Sequence, residues 1–320
     1  MCGIFGFTGR SSWKTSVLLQ ALCIADEVRG THSTGLVIQM PGNDFFMSKK
    51  ALSGKVFVAR GHCSFLFSKK YGLALGHNRF ATAGAVTDGN AHPFAIRMGA
   101  KKWNFGIHNG IVGDKEGIAR EYGVRNHDVD SAVALAAIGK LQSRGIEVAN
   151  AIEEVTNFIS PMADFAFAYL NGEEKAVYLW RSPDRPLVII DARKLGLGRW
   201  FCSTPEIFGT AWNLLRGALG DLRKVSKFHA VPYRLYRVAD DGEFEVEPVR
   251  DLKHTAKLVE NHAAETTFDS ELFGKSPRDH RDWYSQIGQR DLFGSSDSFG
   301  GREEEADEWS KGGLAHETRI

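Results

Sequence analysis

Between Asp164 and Ser203 four strand-like runs follow one another with no helical segment between them: DFAFAYL, KAVYLWR, PLVIIDA and RWFCS. Parallel neighbours need a long crossover, usually a helix, whereas antiparallel neighbours need only a turn. Four runs packed this closely argue against one sheet of alternating strand and helix. Strands cluster elsewhere too. Cys2–Thr8 reads as a short apolar strand, GLVIQM (35–40) and DFFMS (44–48) flank a PGN turn, and YGLALGHNRF (71–80) and WNFGIHNG (103–110) run into glycine-marked turns. A last pair is expected near Tyr233–Val238 and Glu243–Val249. Helical spacing covers Trp13–Arg29, with Val17, Leu18, Ala21, Leu22, Ala25 and Val28 along one side. Further helices are expected over Asp128–Gly145, Glu147–Ile159 and Pro205–Leu215. Strand clusters separated by helices predict sheets covered by helices.

With 320 residues, 43% hydrophobic and 25% charged, the chain can bury a sizeable core. A net charge of +1 leaves no electrostatic footprint for nucleic acid or an anionic membrane surface. No apolar run approaches the roughly 18 residues that span a bilayer, and the N-terminus lacks the basic and apolar regions of a signal peptide. Four scattered cysteines without a CxxC pair indicate neither a zinc site nor a disulfide framework. A reduced, cytoplasmic setting is expected. From about Asn261 the sequence becomes polar and loses periodicity, so residues 261–320 are expected to form a flexible tail. The tail repeats an acid–aromatic–glycine pattern in ELFG, DLFG and DSFG. Phe273, Phe293 and Phe299 either pin the tail to the body or form short binding motifs.

Cys2 stands directly behind Met1 and opens the apolar run CGIFGF. A cysteine here can serve as a small hydrophobe in a first strand. Alternatively, once Met1 is removed, a thiol with a typical pKa of about 8.5 shares a residue with an α-amine of about 7.7–8.0. Such an amine can take up the thiol proton near neutral pH. Other segments rich in chemistry are RGTHSTG (29–35), GHNRFATAG (76–84), NAHPF (90–94), HNG (108–110) and DVDSAVAL (128–135).

In this order and spacing, over about residues 2–250, these pieces resemble the class II glutamine amidotransferases. Their glutaminase domains use an N-terminal nucleophile; GHNRFATAG with WRSPDRPLVI is most similar to amidophosphoribosyltransferase, and NAHPF to glucosamine-6-phosphate synthase. The resemblance implies a four-layer αββα sandwich, an α+β fold with two mostly antiparallel sheets between helical layers. It implies that the Cys2 thiol attacks the side-chain amide of glutamine, releasing ammonia and leaving a thioester that water cleaves to glutamate. No metal, nucleotide or organic cofactor is then required.

By the same resemblance Arg79 would hold the substrate carboxylate, which a guanidinium fork suits geometrically, and Thr82 would add a hydroxyl. Asp128 would hold the substrate ammonium; it also suits a helix N-cap, and Asp130 is its nearest competitor. The Asn109 amide and the Gly110 N–H would form the oxyanion hole, although Asn-Gly is equally a hairpin signal. Arg29 would lie near the nucleophile. The family usually has Asp where this chain has His32, and an aromatic at Phe80 is retained. His92 fits the family sequence and reads as a hydrogen-bonded turn histidine without a chemical role. The residues after Arg250 contain no phosphate-binding glycine loop, so the ammonia acceptor is expected on a separate synthase or transferase chain. Rival readings are an amidohydrolase acting on another γ-glutamyl compound and a catalytically silent scaffold of the same fold.

Overall fold

The computed structural model describes residues 1–100, 102–159, 163–215, 217–239, 247–252 and 317–319. Its strands are β1 (Gly3–Thr8), β2 (Ser33–Gln39), β3 (Phe45–Lys50), β4 (Leu73–Arg79), β5 (Phe94–Arg97), β6 (Trp103–Ile111), β7 (Asp164–Asn171), β8 (Ala176–Arg181), β9 (Val188–Asp191), β10 (Arg199–Cys202), β11 (Ser226–His229), β12 (Arg234–Ala239), β13 (Glu247–Asp251) and β14 (Glu317–Arg319). Its helices are α1 (Trp13–Ala25), α2 (Gly54–Ala59), α3 (Phe65–Ser68), α4 (Lys115–Tyr122), α5 (Asp130–Ser143), α6 (Val148–Ile159) and α7 (Pro205–Leu214). The strands form two sheets, ordered β11-β9-β10-β1-β4-β2-β3-β14 and β13-β12-β8-β7-β6-β5. The pairings are antiparallel throughout.

Three apolar cores separate four layers. Phe5, Phe7, Trp200 and Cys202 of the first sheet pack under α1 and α7 against Leu18, Leu22, Phe208 and Trp212. Ile4, Val37, Leu75 and Phe201 meet Phe105, Ile107 and Leu179 between the sheets. Phe167, Tyr169 and Trp180 on the outer face of the second sheet pack with Val133, Ile138 and Ile152 of α5 and α6. Side chains alternate across a strand, so β1 sends Ile4 between the sheets and Phe5 and Phe7 to the helices. Both of its faces are covered, which is why its sequence is continuously apolar. Gly76 faces Phe5 in the β1–β4 register, and a Cβ there would sit 2.1 Å from the Phe5 ring. The glycine is the space that ring occupies.

The αββα expectation agrees with this architecture, with local differences. α1 stops at Ala25, and Asp26–Val28 continues as one tight 3-10 turn. That turn buries Asp26 and leaves Val28 81% exposed, so Val28 does not extend the buried stripe of the helix. α5 starts at Asp130, two residues later than expected. Its N-cap is Val129, with extended backbone (φ −99°, ψ 122°) and no side-chain cap bond, so Asp128 does not cap it. β5, β11 and helices α2, α3 and α4 had no sequence signal; with four to eight residues each, they are too short to establish a period. Apart from β14, the 261–320 tail and its three phenylalanine motifs lie outside the described residues. No described helix is long and apolar enough to cross a membrane.

Candidate active site

Cys2 lies just before central strand β1, beside the end of β4, because Gly3 pairs with Asn78. Its Sγ accepts from the Phe80 N–H at 3.3 Å and donates to the Phe80 carbonyl at 3.4 Å. Strand alternation points this thiol toward the space between the sheets, on the side of Ile4. Burial raises the thiol pKa above its usual value; the Phe80 backbone contact, the chain's N-terminal charge and Arg79 oppose that rise. Arg29 donates through Nε to the Cys2 carbonyl at 2.8 Å and through Nη2 to the Met1 Sδ at 3.7 Å. Met1 itself is exposed and lines a groove of about 610 Å³ with Arg29, Lys55 and Glu206.

Arg79 ends β4 almost fully buried. Its Nη1 donates to the Ala85 carbonyl at 3.1 Å, and its Nη2 to the carbonyls of Gly84, at 3.4 Å, and Ala83. The guanidinium therefore holds the 83–85 loop, on which Thr82 is an exposed neighbour. Burial lowers the Arg79 pKa, opposed by the charges of Cys2 and Asp130.

A relay of hydrogen bonds joins β4 to the next two pieces of the site. His77 Nε2 and the His108 carbonyl are 2.9 Å apart, linking the two sheets. His108 Nδ1 lies 2.7 Å from Ser131 Oγ. Asp130 Oδ1 accepts from the Ser131 N–H at 2.8 Å and Oδ2 from the Val112 N–H at 2.7 Å. Burial pushes the His77 imidazole down to about 3 and His108 to about 4, so both are neutral near pH 7. His77 then donates from Nε2. Asn109, next on β6, is fully buried, and neither its Oδ1 nor its Nδ2 has a hydrogen-bond partner. An unpaired buried amide is costly. Gly110 follows at φ 145°, where a Cβ would lie 1.9 Å from the Asp164 carbonyl oxygen. Only glycine fits there.

The structure thus gathers Cys2, Arg29, Arg79, Asn109 and Gly110 at one end of the sandwich. Asp128 is exposed and is felt mainly by its neighbour His127, while Asp130 is the carboxylate whose charge reaches Arg79 and His108. His92 departs from its expected reading. Its ring is buried and stacked on His77 with centroids 4.0 Å apart, and neither ring nitrogen has a partner.

No family model matches the chain. The glutamine–fructose-6-phosphate aminotransferase (isomerizing) of Streptococcus pneumoniae (strain R6) is 30% identical over 197 residues, covering 59% of this chain and 30% of that protein. The protein of the same name from Campylobacter jejuni is 38% identical over 112 residues, 35% of this chain and 17% of that one. The chain spans about 30% of the length of the first curated relatives it matches. In fold it is similar to the glutamine phosphoribosylpyrophosphate amidotransferase of Bacillus subtilis, with a TM-score of 0.57 and 17% identity over 77% of this chain and 50% of that one. The chain is thus similar to class II glutamine amidotransferase domains in sequence over part of its length and in fold.

Two groups at this site, Ser131 and Asp26, escaped the sequence reading, in which Asp130 stands only as the competitor of Asp128. Asp130 carries a signal in hindsight: it directly precedes the apolar SAVAL run, and β-branched Val129 favours extended backbone before it. Ser131 has meaning only beside His108, 23 residues away. Asp26 resembles an ordinary surface acid in sequence, yet it is fully buried with both oxygens unpartnered. A Cβ on Gly3 would lie 1.9 Å from its Oδ2, so the carboxylate lies against β1 on the helix-covered face. Among the described residues no group of three His, Cys, Asp or Glu side chains could hold a metal.

Burial raises the Asp26 pKa well above its usual value, against the lowering effect of Arg29. The folded chain then binds more protons than the unfolded chain above about pH 4, and stability falls as pH rises toward the folded pKa. Asp26→Asn removes this term. Thermal melts are expected to show the variant a few degrees above the parent at pH 8, about the shift that 1 kcal/mol gives, with the gain shrinking toward pH 4. A difference independent of pH would contradict this account.

Proposed function

We propose that the chain hydrolyses glutamine, with Cys2 as nucleophile after removal of Met1, and supplies the ammonia to an amidation. The observation that carries this reading is the unpartnered, buried Asn109 amide beside Gly110, at the same sandwich end as the Cys2 thiol. The Cys2 α-amine takes the thiol proton as sulfur attacks the amide carbon, then passes it to the departing nitrogen. Asn109 Nδ2 and the Gly110 N–H stabilise the oxyanion, each such donor being worth about 2.7–4 kcal/mol. Water cleaves the γ-glutamyl thioester. Glutamine enters by exchanging the loop carbonyls on Arg79 for its own carboxylate, beside Thr82. Asp130, anchored by two backbone amides and electrostatically coupled to Arg79, is better supported than Asp128 as the partner of the substrate ammonium.

The ammonia acceptor in this reading lies on a partner synthase or transferase subunit in the cytoplasm. Free ammonia is mostly ammonium at pH 7, and direct delivery protects the nucleophilic form. The four cysteines, none of which is in a disulfide, fit a reducing compartment.

Cys2→Ser is expected to fold normally and lose nearly all glutamate release, and active protein is expected to have the mass of the chain without Met1. Full activity with Met1 retained would refute the mechanism. For the substrate site, Asp130→Asn and Arg79→Lys should each raise the glutamine KM at least tenfold, while Asp128→Asn should change it less than threefold. The reverse order for the two aspartates would restore Asp128 to the role. Finally, affinity purification from the native host is expected to bring down an amidating enzyme. Its absence, together with a kcat in the ordinary enzyme range of roughly 1–1000 per second for the chain alone, would favour a free-standing amidohydrolase.

A further inference from the structure

Where the family usually carries aspartate, this chain has His32, and that histidine holds the segment flanking the thiol at three points. Its backbone N–H donates to the Arg79 carbonyl at 3.0 Å. Its Nδ1 accepts from the Ala81 N–H at 2.9 Å. Its ring stacks on Phe80 with centroids 4.7 Å apart and planes 25° from parallel. Phe80, between those two anchors, is the residue whose N–H and carbonyl both meet Cys2 Sγ. Phe80 is 44% exposed, so its own burial fixes it only in part.

We propose that His32 is a positioning residue for the nucleophile: by clamping the backbone from Arg79 to Ala81 it fixes the Phe80 peptide against the Cys2 thiol. The proposal rests on the Cys2 chemistry given above. Acceptance at Nδ1 requires a ring that carries its proton on Nε2. A carboxylate at this position could accept the Ala81 N–H but would offer Phe80 no ring, so the acceptor and the stack are separable functions. The acceptor matters more for the thiol, because it acts on the backbone that touches sulfur. The 83–85 loop begins three residues beyond Phe80, so the same clamp sets where that loop departs.

The test compares His32→Ala, His32→Asn and His32→Phe in the full chain. Asparagine keeps an acceptor near the Nδ1 position without the stack, and phenylalanine keeps the ring without the acceptor. Misplacing a reacting group by about 1 Å can cost up to 100-fold. His32→Ala and His32→Phe are expected to lose roughly ten- to a hundredfold in kcat with a smaller change in KM, and His32→Asn to recover most of it. The alkylation rate of Cys2 by iodoacetamide, which needs no glutamine, should change at least threefold in His32→Ala and His32→Phe and stay near the parent value in His32→Asn. Equal alkylation rates in all four proteins, or a His32→Asn protein as impaired as His32→Ala, would overturn the proposal. If the parent releases no glutamate, the glutaminase reading fails, and the alkylation series still decides the role of His32.

Discussion

The hydrogen bond between His77 and the His108 carbonyl is the constraint on which the site depends. It crosses from one sheet to the other in an interior otherwise filled by Ile4, Leu75, Phe105 and Ile107. Apolar contacts between sheets are non-directional and tolerate sliding; a buried hydrogen bond between a ring and a backbone carbonyl does not. His77 is two residues before Arg79, and His108 one before Asn109, so fixing one pair fixes the other. The relay through Ser131 then orients Asp130 at the start of α5. Groups from β4, β6 and α5 are held by a few directional bonds within a framework that is mostly apolar packing.

The interior also keeps polar groups without partners. His92 has two such nitrogens, His77 and His108 one each, and Asn109 an entire amide. Such groups weaken a fold unless something is gained in return. Keeping the imidazoles neutral limits the cost, and the low pKa values of His77 and His108 reflect that. His92 stacks on His77, which reaches the His108 carbonyl next to Asn109, so the neutral rings add no fixed charge beside that amide.

The layered architecture was legible in the sequence because the strands are long, apolar and close together; DFAFAYL and KAVYLWR emerged as β7 and β8 with little change. Arg79, in GHNRF, and Asn109, in HNG, could be singled out in the sequence because strand ends and turns are short-range features. What remained hidden was long-range or a matter of where a helix starts by a residue or two. Choosing between Asp128 and Asp130 depends on where α5 begins, and Val129 sets that through its extended backbone. The burial of Asp26 follows from a tight turn at the end of α1, which helical periodicity cannot reveal. His32 reads as an isolated departure until its ring is found on Phe80.

The geometry also bears on which group serves as base. The thiol faces the space between the sheets, and the basic or acidic groups near it are few. His77 and His108, at about 3 and 4, are too weak to hold a proton taken from a thiol whose own pKa is raised by burial. Asp26 influences Cys2 through its charge, but it lies against Gly3 on the opposite, helix-covered face of β1. Arg29 and Arg79 are cations and can only favour the thiolate. An amine on Cys2 itself needs no side chain to bring it near sulfur, and its ordinary pKa of about 7.7–8.0 suits proton uptake near neutrality. While Met1 remains, that nitrogen is an amide and has no basicity to offer. Under the proposed mechanism, losing an exposed methionine, which sits outside all three cores, would create the base at little structural cost, and maturation and catalytic competence would be one event.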